Sequence, residues 1–187
     1  MSSRRHERTI ARRSTVQVLY TSEIQNERPS VLLESGRCLE EDGPLSDYAL
    51  MLIKGVEENL EAIDAKLEET SENWAVSRMP VVDRTILRLA TFEMLYVDDV
   101  PVSVSINEAV ELAKAFGGED DSPRFVNGVL GRIARRLEAE QAAAEQGSAD
   151  ADDAADADDA ADADDAADDA AAAEGSAVAE GSAENEE

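Results

Sequence analysis

The sequence is poor in the residues on which much protein chemistry depends. Its 187 residues include one cysteine, Cys38, and one histidine, His6. A single cysteine excludes an intrachain disulfide and a cysteine-based metal cluster. A single histidine argues against a histidine metal site and a Ser-His-Asp triad. The sequence therefore predicts a protein of a reducing compartment, with no metal, no cofactor and no enzymatic activity.

Long apolar segments are also missing. No run of residues approaches the roughly 18 apolar residues that a membrane-spanning helix needs. Residues 1–13 are basic and polar, unlike the apolar stretch of a signal peptide. The expected location is the cytoplasm, with no membrane contact.

Positive charge is absent from the C-terminal quarter of the chain. All 17 lysines and arginines lie at or before Arg136, and 18 of the 43 acidic residues follow residue 138. Residues 151–168 are three copies of ADDAAD, which offer no large apolar group to bury. We predict a helical domain over residues 1–138 and a disordered, low-complexity Ala/Asp/Glu-rich tail over residues 139–187. The tail would serve either solvation or competition with RNA for the basic N-terminus.

The body of the chain shows helical periodicity throughout and no credible strand pattern. The first helix begins near Arg8, and its small and apolar residues form one buried stripe. Residues 46–67 predict one long helix capped by Ser46. The helix that starts near Pro80 is apolar on almost every side, which is typical of the centre of a bundle. The predicted fold class is all-α, with six or seven helices.

Several local predictions concern the last two helices of the body. Gly117 and Gly118 would end the first of them, because glycine accepts the left-handed conformation past the last turn, and Ser122 would cap the second. Gly128 would be small so that a neighbouring helix can approach. Two arginines of the central helix, Arg84 and Arg88, need partners if they are buried. Glu93 in the same helix and Glu108 in the next are the candidate partners.

The N-terminal helix concentrates arginines on an otherwise acidic chain. One interpretation is a nucleic-acid surface, since arginines neutralise phosphates and the tyrosine at position 20 can stack on a base. The alternative is a solvated basic end, or arginines that pair with acids of the body. The arginines are Arg4, Arg5, Arg8, Arg12 and Arg13.

Four segments, in order, resemble the NusB family of transcription antitermination factors. They are ARRSTVQVLYTSEI at residues 11–24, VVDRTILRLA at 81–90, VPVSVSINEAVELAKAFG at 100–117 and SPRFVNGVL at 122–130. The resemblance covers about residues 8–137. It implies two packed three-helix subdomains, NusB-like, with the family occurring as monomers or as a homodimer.

The resemblance also implies a function and partners. Together with the ribosomal protein NusE, such a protein binds the boxA element of single-stranded nascent RNA within the RNA polymerase antitermination complex. It thereby promotes transcription of ribosomal RNA operons.

The resemblance implies site residues as well. The RNA-binding set would be Arg4, Arg5, Arg8, Arg12, Arg13, Tyr20, Arg124 and Phe125. Asp83 would face NusE. Two features depart from the family pattern: Arg13 replaces a frequent acid, and the loop at residues 117–122 is one residue longer than usual.

Two other functions compete with this one. A protein-interaction adaptor without direct RNA binding would use the same arginines in internal ion pairs. An enzyme domain is the second alternative, because NusB-like modules also occur fused to RNA cytosine methyltransferases. That alternative needs a further α/β domain with a catalytic cysteine, where this chain has the acidic repeats.

Overall fold

The computed structural model describes residues 2–36, 44–70, 75–117 and 121–153, and side chains within these ranges from residue 4 to residue 144. These residues form seven α-helices, one 3₁₀ helix and no strand, which confirms the all-α fold. The helices are α1 Ser2–Gln25, α2 Pro29–Glu34, α3 Asp47–Glu58, α4 Leu60–Thr70, α5 Val81–Tyr96, α6 Val102–Phe116 and α7 Ser122–Asp153, and the 3₁₀ helix is Val76–Arg78. Cys38 lies outside the described residues.

Helix α5 is the centre of the fold, as its apolar circumference predicts. It packs against α1, α3, α4 and α6, while α1, α2 and α3 also pack on one another. The last helix adds its apolar face to the same core, through Val126, Val129, Leu130 and Ile133. By its contacts the chain divides into two units, Met1–Gly147 and Ser148–Glu187. The core belongs to the first of them.

The predicted long helix over residues 46–67 is wrong in one respect, because the structure divides it at Asn59. The side chain of Asn59 donates a hydrogen bond to the Gly55 carbonyl at 2.8 Å. An asparagine that bonds locally to the backbone competes with helix continuation. At the other end Ser46 caps α3, accepting a hydrogen bond from the Ala49 amide at 3.3 Å, which confirms that prediction.

Helix α7 also differs from its prediction at both ends. It continues through residues 146–148 to Asp153, where the sequence predicts an end at Gly147. The first turn closes through a hydrogen bond of 2.9 Å from the Phe125 amide to the Asp121 carbonyl. Asp121, whose carbonyl accepts that bond, therefore holds the cap position, and the hydroxyl of Ser122 donates to a carboxylate of α5.

Three glycines differ from what the sequence indicates. Helix α6 ends at Phe116, so the predicted stop at Gly117 is confirmed, but Gly117 has φ of −65° and is not left-handed. Gly118, the other glycine of that predicted stop, lies outside the described residues. A Cβ at Gly117 would lie 2.3 Å from the Ala113 carbonyl oxygen, and one at Gly55 would lie 2.0 Å from Cζ of Phe92. A Cβ at Gly128 would meet nothing within 4 Å among the described residues, so the close approach predicted for Gly128 is wrong.

Replacing Gly55 with alanine is therefore expected to destabilise the fold by roughly 1–3 kcal/mol or more, because the Phe92 ring has to move. The matched replacement is Gly128→Ala on the exposed face of α7. It should stabilise by about 1 kcal/mol through helix propensity alone. Urea unfolding of the two variants measures both effects. Equal stability of both variants would contradict the close packing of Phe92 on Gly55.

Candidate nucleic-acid interface

Helix α1 carries both a buried stripe and the predicted basic surface. The stripe of Ala11, Thr15, Val18, Leu19 and Ser22 is buried, as the spacing predicts. The five arginines do not share one environment. Arg4, Arg5 and Arg13 are exposed, Arg8 is half-buried, and Arg12 is buried with 3% of its surface accessible.

Arg12 forms the centre of a buried ionic network. Its Nε donates to both carboxylate oxygens of Glu93, at 2.8 and 3.0 Å. Its Nη1 lies 3.4 Å from the Glu108 carboxylate. The Tyr48 hydroxyl donates to Glu93 Oε1 at 2.5 Å. The network joins α1, α3, α5 and α6, and it satisfies the pairing that buried charges require.

The network also shifts the ionisation of its members. Burial by itself lowers the pKa of Arg12, but the charge and hydrogen bond of Glu93 outweigh it, so the pKa is raised above its ordinary value. Burial, together with the hydrogen bond to Glu93, raises the pKa of Tyr48 well above its ordinary value. Both groups therefore keep their protons at every physiological pH.

This arrangement corrects the predicted pairing of the central helix. Arg84 pairs with Glu23 and donates to the Val76 and Met79 carbonyls, at 3.0 Å each. Arg88 pairs with Glu23 at 3.1 Å and with Asp64 at 2.7 Å. Glu93 and Glu108 serve Arg12 instead, so the predicted partners are wrong. Periodicity along α5 shows which side chains are buried, but not which helix covers them.

Arg8 is held in place by contacts from two other elements. Its Nη2 donates to Asp99 Oδ2 at 2.5 Å. Its guanidinium lies 4.7 Å from the centre of the Tyr48 ring, a cation–π distance. The hydrogen bond from Arg8 lowers the pKa of Asp99 below its ordinary value. Asp99 therefore stays ionised, and it occupies the guanidinium that a phosphate would bind.

The N-terminal half of α1 and the start of α6 enclose a groove, which we call the arginine groove. Its volume is about 410 Å³. Four arginines and two acids line it together with three apolar or imino residues: Arg4, Arg5, Arg8, Arg12, Asp99, Glu108, Val100, Pro101 and Val104. A groove of this kind can track a polyanion, since it presents several guanidinium groups at one edge.

The remaining predicted RNA residues lie on the described surface at two places. The guanidinium of Arg13 lies 5.1 Å from the ring centre of Phe116, at the end of α6. Tyr20 follows Arg13 by two helical turns and is 39% exposed. Arg124 is exposed and Phe125 is half-buried against the core, both in the first turn of α7. Because Gly117 nearly touches Ser122, that turn begins beside the end of α6.

Asp83 lies inside the structure and not on its surface. Only 4% of the residue is accessible, and Oδ1 accepts a hydrogen bond from the Ser122 hydroxyl at 2.5 Å. The carboxylate thus anchors the first residue of α7 to α5. The partner-facing role that the resemblance implies for Asp83 stays a prediction.

Sequence reasoning missed two residues of this surface and misassigned a third. It did not single out Tyr48 or Asp99, although Asp99 directly precedes residues 100–117, one of the four segments that carry the family resemblance. Glu93 was expected to be paired, but with the wrong arginines. The sequence does indicate that Glu93 is paired, because it is an acid among apolar residues in a helix that is buried on almost every side, and a buried acid needs a cation.

Comparison with known proteins gives consistent matches. A model described as the NusB family matches residues 9–135. The transcription antitermination protein NusB of Saccharopolyspora erythraea is 50% identical over 129 residues, which cover 68% of this chain and 86% of that protein. The protein of the same description from Geotalea daltonii is 44% identical and covers 73% of this chain and 97% of its own length.

Solved structures show the same fold. NusB of T. maritima matches with a TM-score of 0.62 and 38% identity, over 68% of this chain and 90% of that one. A crystal structure of antitermination factors NusB and NusE in complex with dsRNA matches with a TM-score of 0.61 and 25% identity, over 70% of this chain and 98% of that one. Within the described part of the present chain, no helix is long and apolar enough to cross a membrane.

Proposed function

The chain belongs to the NusB family, and on that premise we propose that it is a transcription antitermination factor. Together with the ribosomal protein NusE it binds boxA RNA of nascent transcripts, and within the RNA polymerase antitermination complex it promotes transcription of ribosomal RNA operons. The observation that carries this function is the family match over residues 9–135. The similarity to a NusB–NusE complex with RNA supports the same two partners.

The arginine groove and its continuation along α1 form the proposed RNA surface. Arg4, Arg5 and Arg13 are exposed and bind phosphates directly, while Arg8 binds a phosphate once it leaves Asp99. Arg12 is a positioning residue, because it is buried and its guanidinium pairs with Glu93 and Glu108. Single-stranded RNA is held by such phosphate contacts together with stacking on aromatic side chains.

Tyr20 and the Arg124–Phe125 pair extend this surface. Tyr20 has the exposed ring that stacking needs. Phe125 offers one edge of a ring that is otherwise packed in the core, and Arg124 adds a charge beside it. Asp83 contributes to NusE binding through the start of α7, which it holds by the Ser122 hydrogen bond.

The family consists of transcription factors, and we propose that the protein has no enzymatic activity and works in the cytoplasm, where bacterial transcripts emerge. Monomer and homodimer are both compatible with this function.

Size-exclusion chromatography of the full chain with NusE and a boxA-like RNA tests the proposal. A ternary complex that forms at moderate salt and dissociates at high salt is expected, because the RNA contacts are largely phosphate contacts. A scrambled RNA of equal length is the control. Co-elution with NusE but with neither RNA would favour the adaptor function instead.

Asp99→Asn should increase affinity for RNA, because it releases Arg8 from its carboxylate partner. The gain should be larger at low salt, and similar for boxA and for non-specific RNA, since phosphate contacts carry no sequence information. Asp98→Asn, an exposed neighbour, is the matched control.

The pH dependence follows from the ion pair. The hydrogen bond from Arg8 lowers the pKa of Asp99, so the Arg8–Asp99 pair of the folded protein is lost only when the pH falls below the usual pKa range of carboxylates. The gain should therefore be the same at about pH 5.5 and pH 7.5. An unchanged affinity would show that Arg8 takes no part.

A further inference from the structure

A second concave site lies away from the arginine groove and shares no lining residue with it. We call it the α1–α5 cleft. Its volume is about 430 Å³, and it is bounded by the C-terminal part of α1, the start of α2, the junction of α3 with α4, and α5. Its apolar walls are Leu19, Val56 and Leu60. Nothing in the proposed antitermination function uses this site.

One lining residue of the cleft has an unused polar group. Thr85 on α5 is 1% exposed, and within the described part of the chain its Oγ1 has no hydrogen-bond partner. A buried hydroxyl without a partner is costly and uncommon in folded proteins. Valine has the same shape and would fill this position without that cost. The hydroxyl at Thr85 therefore indicates a site that receives a polar group.

The charges around the cleft indicate the sign of that group. Three carboxylates line it, Glu23, Glu27 and Glu57, against the two arginines Arg28 and Arg88. Arg88 pairs with Asp64 and Glu23, and Glu23 also pairs with Arg84, so the charges of these four groups balance one another. The adjoining shallow depression shares Glu57 and Leu60 with the cleft and adds Glu58 and Glu61. Acidic groups therefore predominate on this side of the molecule.

One of the lining carboxylates, Glu57, keeps acceptor capacity. Glu57 accepts hydrogen bonds from the backbone amide and the hydroxyl of Ser30, both at 2.8 Å, which leaves further lone pairs on its two oxygens. These bonds also fix the carboxylate in one orientation at the mouth of the cleft. A donor entering the cleft meets a positioned acceptor and does not have to order it first.

We propose that the α1–α5 cleft receives an arginine or lysine side chain from a basic segment of a partner protein. The apolar walls hold the methylene stem, as they do for basic side chains that lie along apolar surfaces. Glu57 and the Thr85 hydroxyl accept hydrogen bonds from the charged head, and charge-assisted bonds to a carboxylate are the strong ones. An arginine, with five N–H donors in a planar fork, matches several acceptors at once.

Titration of the full chain with the tripeptide acetyl-Ala-Arg-Ala-amide, followed by NMR, tests the proposal. Saturable shifts are expected at the methyl groups of Leu19, Val56 and Leu60 and at the Thr85 amide. The citrulline tripeptide has the same shape without the charge and should bind at least about tenfold more weakly, since the ionic contribution is lost. Shifts that do not saturate by about 20 mM peptide, or equal binding of the citrulline peptide, would overturn the proposal.

Two variants assign the binding groups. Thr85→Val should weaken binding of the arginine peptide about threefold to tenfold, the range for one hydrogen bond, while urea stability stays equal or rises. Glu27→Gln with Glu57→Gln should weaken it further, and the amide introduced at position 57 keeps an oxygen for Ser30. Glu34→Gln with Glu68→Gln removes the same charge from exposed acids outside the cleft and should leave binding unchanged. If this control pair weakens binding as much as the cleft pair, the attraction is general surface charge and the site is refuted.

Discussion

Arg12→Ala is expected to cost roughly 3–5 kcal/mol of folding free energy, which is the usual result of breaking a buried ion pair. The loss is large because Glu93 is 1% exposed and would lose the guanidinium that pairs with it, with no water to replace those hydrogen bonds. The Tyr48 hydroxyl cannot compensate, since it already donates to the same carboxylate. Urea unfolding of the full chain measures the effect.

Arg13→Ala is the matched control, because Arg13 is the next residue and is exposed. Its stability should stay close to that of the parent, since its ring contact with Phe116 lies at the surface. A double variant, Arg12→Met with Glu93→Leu, should recover much of the lost stability, because neither partner is then left as an unpaired charge. If Arg12→Ala folds normally and loses only RNA binding, Arg12 is a direct RNA contact and not a positioning residue.

Replacing Arg4, Arg5 and Arg13 together with alanine should give the largest loss of RNA binding without a loss of stability. Each phosphate contact on single-stranded RNA contributes about 0.7 to the slope of log K against log salt concentration. Three lost contacts reduce that slope by about 2, which corresponds to roughly a hundredfold weaker binding at about 0.1 M salt. Fluorescence anisotropy of labelled boxA RNA, measured over a series of salt concentrations with NusE present, gives both numbers.

The control for this triple variant must remove the same charge elsewhere. Three exposed basic residues lie outside the arginine groove: Lys54, Arg78 and Arg136. Replacing all three with alanine removes three positive charges, so this control has the same net charge as the Arg4, Arg5 and Arg13 variant. This control should change the salt slope little, because the number of phosphate contacts determines the slope and the net charge of the protein does not. Equal losses in both triples would assign the binding to general electrostatics, and the proposed surface would be wrong.

The sequence predicted the elements of this fold well. The stripe on α1, the cap at Ser46 and the central position of α5 are all confirmed. Each of these follows from information within one segment: a spacing of apolar residues, or a side chain that can satisfy a free amide. Predictions that depended on a second segment were less accurate, as the paired residues of α5 and the glycine at position 128 show.

The arginines of α1 show where the limit lies. Arg5, Arg8 and Arg12 are spaced by three and four residues, so periodicity places them on one face and cannot separate them. Only the packing of α3, α5 and α6 against that face decides that Arg12 is buried on Glu93, that Arg8 is held by Asp99, and that Arg5 is exposed.

Patterns within single segments thus suffice to identify an all-helical member of the NusB family with a basic first helix. Which arginines are available to a ligand depends on the packing of the helices. The physical reason is that helical periodicity is a property of one segment, whereas the partner of a buried charge is supplied by whichever other segment packs over it.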